Sequence, residues 1–217
     1  MREEYQADLV EVGRLLVTMA ESVRATLRKA TTALLTADLK AAEAVIERDA
    51  EVDKIYEQVE LKVADIIARQ APVASDLRRV ITTLHISADL ERMGDLAEHV
   101  AKTAKRRHPS PAVPAELRPT FQEMAEVADK MAAKIIELLG SPNVSLAAEL
   151  ESDDDRIDDA ERHLFKIMLD DAWPYGAETA IDGALLGRFY ERYADHAVNI
   201  GEQVIYLVTG EAPAGAN

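Results

Sequence analysis

From Arg2 to Thr36 apolar side chains recur at Leu9, Val12, Leu16, Met19, Val23, Leu27, Ala30 and Leu34, three or four positions apart and with no proline among them. That spacing keeps one stripe of a helix apolar over about 50 Å, a rod too long to bury its stripe except against other rods of similar length. The chain supplies them. Beyond Thr36-Ala37-Asp38, whose side chains can cap, a second apolar row runs through Val45, Val52, Tyr56, Val59, Val63 and Ile66 to about Arg69. Pro72 marks the next turn, and a third row, Leu77, Val80, Ile81, Leu84 and Ala88, belongs to a helix from about Ala74 to Arg107.

His108-Pro109-Ser110-Pro111-Ala112-Val113-Pro114 cannot continue that helix, because three prolines lack the amide hydrogen and push their predecessors toward extended backbone. After it the plan recurs. Leu117, Phe121, Met124, Ala128, Met131, Ile135 and Leu138 make a seam that stops at Gly140-Ser141-Pro142-Asn143. A fifth helix is expected from about Ser145 to Asp171 and a sixth from about Glu178 to Thr209, separated by Trp173-Pro174-Tyr175-Gly176. Aromatic content of 5% with only 9 glycines and 8 prolines fits helices throughout. The expected fold is all-α: six long helices forming two similar antiparallel three-helix bundles, 1–108 and 115–210, followed by a flexible tail at 211–217.

The halves share more than helix count. Leu90-Glu91-Arg92-Met93-Gly94-Asp95-Leu96-Ala97 and Tyr190-Glu191-Arg192-Tyr193-Ala194-Asp195-His196-Ala197 repeat one Glu-Arg-x-x-Asp-x-Ala pattern at an offset of 100. Asp49 and Asp53 recur as Asp154 and Asp158 at an offset of 105. Residues four apart on a helix stand one above the other, so each pair stacks two like charges. A three-helix bundle can bring the pairs of its second and third helices side by side, gathering four acids.

Four converging carboxylates with no soft ligand form a hard-oxygen environment suited to magnesium, manganese, calcium or iron, and able to bridge more than one ion. The expected metal ligands are Asp49, Asp53, Glu91 and Asp95 in the first half and Asp154, Asp158, Glu191 and Asp195 in the second. Glu91 and Asp95 continue the row of Leu77, Ile81, Leu84 and Ala88, where apolar residues belong in a core-facing stripe. On the sixth helix the row Leu185, Phe189, Tyr193, Ile200 and Val204 instead predicts that Glu191 and Asp195 face water. Arg92 and Arg192 are expected to screen the acids as exposed ion pairs. The five histidines are expected at the surface, and Lys102, Lys105, Arg106 and Arg107 to offset the helix dipole.

Charge and composition exclude other classes. A net charge of −15 disfavours nucleic acid, whose phosphates demand clustered Lys and Arg. The absence of cysteine removes disulfides and thiolate-held metals. Met1-Arg2-Glu3-Glu4-Tyr5 is acidic and does not read as a targeting segment, and no apolar run is long enough to span a bilayer, so a cytoplasmic protein is expected, touching membrane only through partners. No Walker loop, nucleophile elbow, His-Glu-x-x-His or ferritin-type Glu-x-x-His turn is present.

Six helices in two similar halves, with Leu90-Glu91-Arg92-Met93-Gly94-Asp95 and the fuller second copy running on through His196-Ala197-Val198-Asn199-Ile200, closely resemble the PhoU family, its actinobacterial members most of all. The resemblance covers Arg2 to Gly210. It implies a non-catalytic, cytoplasmic regulator of phosphate homeostasis that acts with the ATPase subunit of the phosphate-specific ABC transporter and with a sensor histidine kinase to repress phosphate-starvation genes, commonly as a homodimer. It also implies metal ions, iron among them with manganese, magnesium or zinc as alternatives, on the eight acids named above. The first half departs from the family pattern, with Leu96 where His is frequent and Glu98-His99 where Val-Asn is typical. The rival class is a carboxylate-metal enzyme such as a phosphohydrolase, since clustered ions can activate water.

Overall fold

The computed structural model describes residues 2–211. They form α1 (Arg2–Thr36), α2 (Leu39–Gln70), α3 (Ser75–Arg107), α4 (Arg118–Gly140), α5 (Val144–Met168) and α6 (Gly176–Thr209). The expected six-helix, all-α fold is the one observed. The expected tail begins just past Gly210, and its residues 212–217 lie outside those described.

Local chemistry sets the helix ends. The Asp38 carboxylate accepts from the Ala41 amide at 3.1 Å to start α2, and the Asn143 side chain does the same for Leu146 at the start of α5. Pro119 sits in the first turn of α4, where its missing amide hydrogen goes unmissed. Gly210 closes α6 in the left-handed conformation, φ 79°. The fifth helix stops at Met168 rather than Asp171, and the sixth begins at Gly176 rather than Glu178.

The stripes on α1, α2 and α4 lie where their spacing puts them: Met19, Val23, Leu34, Val59, Ile66, Phe121, Met131 and Ile135 are all fully buried. Each such side chain contributes about 1.5–3 kcal/mol by leaving water. Within each half all three helices pack on one another. The halves also pack together, α1 on α4 and α3 on α6, so a single core runs through both. α2 and α5 are the outer rods.

Polar contacts fasten this junction. Arg24 on α1 grips Asp129 on α4 in a forked pair at 2.8 and 2.9 Å. Deeper in, the Thr31 hydroxyl meets the Tyr190 hydroxyl at 2.6 Å. Arg106 and Arg107 reach from α3 to the buried Asp182 on α6, Arg106 at 2.6 Å, so these cations tie the halves together as well as facing the helix dipole.

Two faces differ from the sequence-based expectation. Leu77 and Ile81 are exposed, at 40% and 38%, because α3 buries Ile86, Leu90 and Met93 alongside Val80 in the core instead. On α6, Leu185 is exposed while Glu191 is buried. Three helices, α3, α4 and α5, crowd α6 and widen its buried arc beyond the single stripe that spacing suggests.

Candidate metal centres

α5 carries three successive acids, Asp153, Asp154 and Asp155, and helical geometry sends them to different fates. Asp153 turns to α4 and is satisfied by Lys134 at 2.7 Å and Lys130 at 3.2 Å. Asp155 is exposed to solvent. Asp154 lies between them, with Asp158 one turn on and the charge of Asp195 on α6 acting on it, while Glu191 on α6 has Asp158, Glu161 and Asp195 as its acidic neighbours.

Electrostatics records the proximity. Burial, reinforced by the charges of Asp158 and Asp195, pushes the Asp154 carboxyl up to about 6. Burial, with Asp195 adding to it, pushes Glu191 up to about 7, against the pull of Arg188. Glu161, one turn beyond Asp158, is likewise raised, by burial first and then by Asp158 and Asp195. Five acids from two helices thus share one patch. Glu161 was not among the residues expected from the repeat, because its counterpart at the offset of 105 is Tyr56; its spacing of three from Asp158 was the available signal.

Glu191 is 8% exposed, and Arg188 holds only its Oε1. Its Oε2, and Oδ1 of Asp154, are buried with no hydrogen-bond partner. Buried carboxylate oxygens without a donor are costly, and a cation is the partner that would satisfy several at once. The donor set, all carboxylate, fits a hard ion. Asp154, Asp158, Glu161, Glu191 and Asp195 are the residues that would hold it. Arg192, expected to screen these acids, makes no ion pair among the described residues; Arg188, one turn earlier, takes that position.

In the first half Glu91 is raised by burial, then by Asp95 and by Asp53 across from α2, while Arg92 and His196 oppose them. Asp53, Glu91 and Asp95 therefore share an electrostatic neighbourhood; the Asp49 side chain lies outside the described residues. Arg92 does screen here, 2.8 Å from Asp95 and 3.4 Å from Glu91. Among the described residues of either half, no three acid or histidine side chains converge closely enough to ligate a common point.

His196 departs from its expected surface position. Its Nδ1 lies 2.9 Å from Asp89 Oδ1 across the α3–α6 junction, both side chains mostly buried, which links the neighbourhood of Glu91 to the second half. His99 is exposed, as expected, and stacks on Phe189 with ring centres 5.2 Å apart.

The model of the PhoU domain matches this chain twice, over residues 16–104 and 121–204, one match for each triple-helical half. The chain belongs to the PhoU family. A phosphate-specific transport system accessory protein PhoU homolog 2 of Mycobacterium tuberculosis is 41% identical, covering 98% of this chain and 100% of the relative. Homolog 1 of the same organism is 40% identical over 98% of this chain and 96% of its own length. The crystal structure of PhoU from Pseudomonas aeruginosa superposes with a TM-score of 0.85 at 29% identity, covering 95% of this chain and all of that one. That of the phosphate transport system regulatory protein PhoU from Streptococcus pneumoniae gives 0.87 at 26% identity, over 97% and 99%. The resemblance carried by the doubled Glu-Arg-x-x-Asp motif is thus a family relationship over nearly the whole chain, and it supports a role in the regulation of phosphate transport. No described helix is long and apolar enough to cross a membrane.

Proposed function

We propose that this PhoU-family member is a cytoplasmic, non-catalytic regulator that acts with the ATPase subunit of a phosphate-specific ABC transporter and with a sensor histidine kinase, limiting phosphate uptake and keeping phosphate-starvation genes off when phosphate is plentiful. The observation that carries the reading is the family match along both halves to relatives named as accessory proteins of phosphate transport. Metal ions, iron, manganese, magnesium or zinc, are proposed at both acid patches: on Asp154, Asp158, Glu161, Glu191 and Asp195, and on Asp49, Asp53, Glu91 and Asp95.

A bound ion would supply the positive charge that offsets the mutual repulsion of these carboxylates. What the chain itself contributes is the clamp. Asp154, Asp158 and Glu161 stand on the outer rod α5 and Glu191 and Asp195 on the central rod α6, so shared coordination fixes one rod's height and rotation against the other. The same two helices expose Phe165, Ile181 and Leu185, with Leu169 just past the end of α5, and α2 with α3 expose Leu61, Leu77 and Ile81. Exposed apolar side chains on a rigid helix face suit docking of a partner, whether transporter subunit, kinase or a second copy. Clamping the rods would set the shape of those faces.

Deletion of the gene tests the role. Starvation genes should be derepressed and phosphate uptake raised in phosphate-rich medium, and reintroduction of the wild-type chain should restore repression. Normal repression and uptake after deletion would overturn the regulatory reading. Metal-dependent turnover of phosphate esters by the purified protein, lost in Glu191→Gln, would favour the enzyme class instead.

A further inference from the structure

A cavity that shares no residue with the acid patches lies at the end of the molecule where the start of α1 and of α3 meets the last turns of α4 and α6. It measures about 730 Å³, within the range of small-molecule sites. Its walls are mainly apolar, with Leu9, Leu16, Ile86, Leu138, Val204 and Leu207 contributing. None of its lining residues is acidic, in a chain with 40 Asp and Glu. Its two charged residues are Arg14 and Arg79, both exposed at the rim and neither in an ion pair or side-chain hydrogen bond among the described residues.

Two further features of the wall have no explanation in the packing of the fold. Gly13 lies inside α1, where glycine weakens a helix relative to alanine. The helical glycines 94, 183, 187 and 201 each have a neighbour within 3.4 Å of where a Cβ would stand; Gly13 has nothing within 4 Å, so no neighbouring helix requires its smallness, and what its missing side chain leaves is open space in this cavity. Thr82, 1% exposed, borders the cavity with a hydroxyl that has no partner. Its counterpart at the offset of 100 is Asp182, which Arg106 and Arg107 satisfy. The corresponding end of the second half is also filled: Leu117 comes within 3.2 Å of a Cβ at Gly183, and Val113 is buried. One end of the pseudo-symmetric bundle is plugged, and the other is open, apolar and rimmed with cations.

We propose that this cavity is a binding site for a small amphipathic anion, an alkyl-chain molecule with a carboxylate or phosphate head, whose chain lies against Gly13 and the apolar wall and whose head pairs with Arg14 and Arg79. The net charge of −15 does not forbid this, since charges more than about 8 Å away are screened at physiological ionic strength while two arginines at the rim act within that distance. The site is separate from the acid patches and would give the regulator a second input.

Calorimetric titration of the full chain with decanoate and with decyl phosphate, below micelle-forming concentrations, tests the site, with decanol and inorganic phosphate as probes for each half of the ligand. At least one of the two amphiphilic anions should bind saturably at one per chain, and decanol and inorganic phosphate at least tenfold more weakly. Gly13→Leu, which fills the cavity while favouring the helix, should weaken the anion at least tenfold. Arg14→Gln with Arg79→Gln, two exposed changes that leave the core intact, should weaken the anion by the same margin and leave decanol unchanged. Absence of saturable binding by both anions, equal affinity for decanol, or unchanged binding in both variants would overturn the proposal. So would co-sedimentation of the protein with phosphatidylglycerol vesicles that neither anion competes away, which would make this end a membrane contact.

Discussion

Replacing Glu191 by Gln should stabilise the metal-free protein at pH 8 and do little at pH 5. The reason is the raised carboxyl. Burial pushes Glu191 up to about 7 in the fold from its ordinary value of 4.5, so the folded chain holds its proton over a range in which the unfolded chain has lost it. Stability conferred by that proton is fully present below about pH 4.5 and is lost as pH rises toward 7. The difference, 7 − 4.5, is 2.5 pH units, which at about 1.4 kcal/mol per unit gives on the order of 3 kcal/mol. Coupling to Asp195 and Glu161 divides that penalty among several groups, and about 2 kcal/mol is expected from this side chain alone. For a chain of this size that corresponds to a melting shift of about 4–8 °C. Calorimetric melting of chelator-treated wild type and Glu191→Gln from pH 5 to 8.5 measures it: the wild type should lose stability as pH rises, and the variant should lose less. A wild-type profile flat over this range, or a variant destabilised equally at both ends, would refute the burial argument for Glu191.

The asymmetry between the halves should appear in metal titrations. Glu161 adds a fifth acid to the second patch where the first has Tyr56, so Glu161→Gln should weaken the tighter class of sites and Tyr56→Glu should strengthen the weaker one, read by competition with a chelating dye. In the core, Tyr190→Phe leaves the buried Thr31 hydroxyl without a partner and should cost about 1–3 kcal/mol in urea unfolding, whereas adding Thr31→Val should recover much of it. Full additivity of the two changes would show that the hydroxyls do not bond. Gly201→Leu should destabilise by more than 2 kcal/mol, because a Cβ there already meets Leu150 at 2.9 Å and the Ala147 carbonyl at 3.1 Å; an unchanged melt would contradict the close α5–α6 approach.

Helix number, the proline joint and the stripes of α1, α2 and α4 were legible in the sequence because each of those faces is a single periodic row. α3 and α6 were harder. All four inner helices, α1, α3, α4 and α6, touch three others, but on α3 and α6 the three-and-four count picks rows that include exposed Leu77, Ile81 and Leu185, and on α6 it omits buried Glu191. The acid pairs were readable from the repeat, since residues four apart share a face whatever the tertiary packing. Glu161 was not, because the repeat itself breaks at that position. Contacts between halves, Asp89 with His196 and Asp182 with Arg106 and Arg107, depend on how the two bundles dock, which no local spacing encodes.

The central claim, that the carboxylates of α5 and α6 meet in order to hold a cation, is most directly tested by elemental analysis of protein purified without chelator. Wild type should carry tightly bound metal, and the Asp154→Asn, Glu191→Gln double variant, still folded by circular dichroism, should have lost the portion held by the second half. Equal metal content in the two proteins would contradict it.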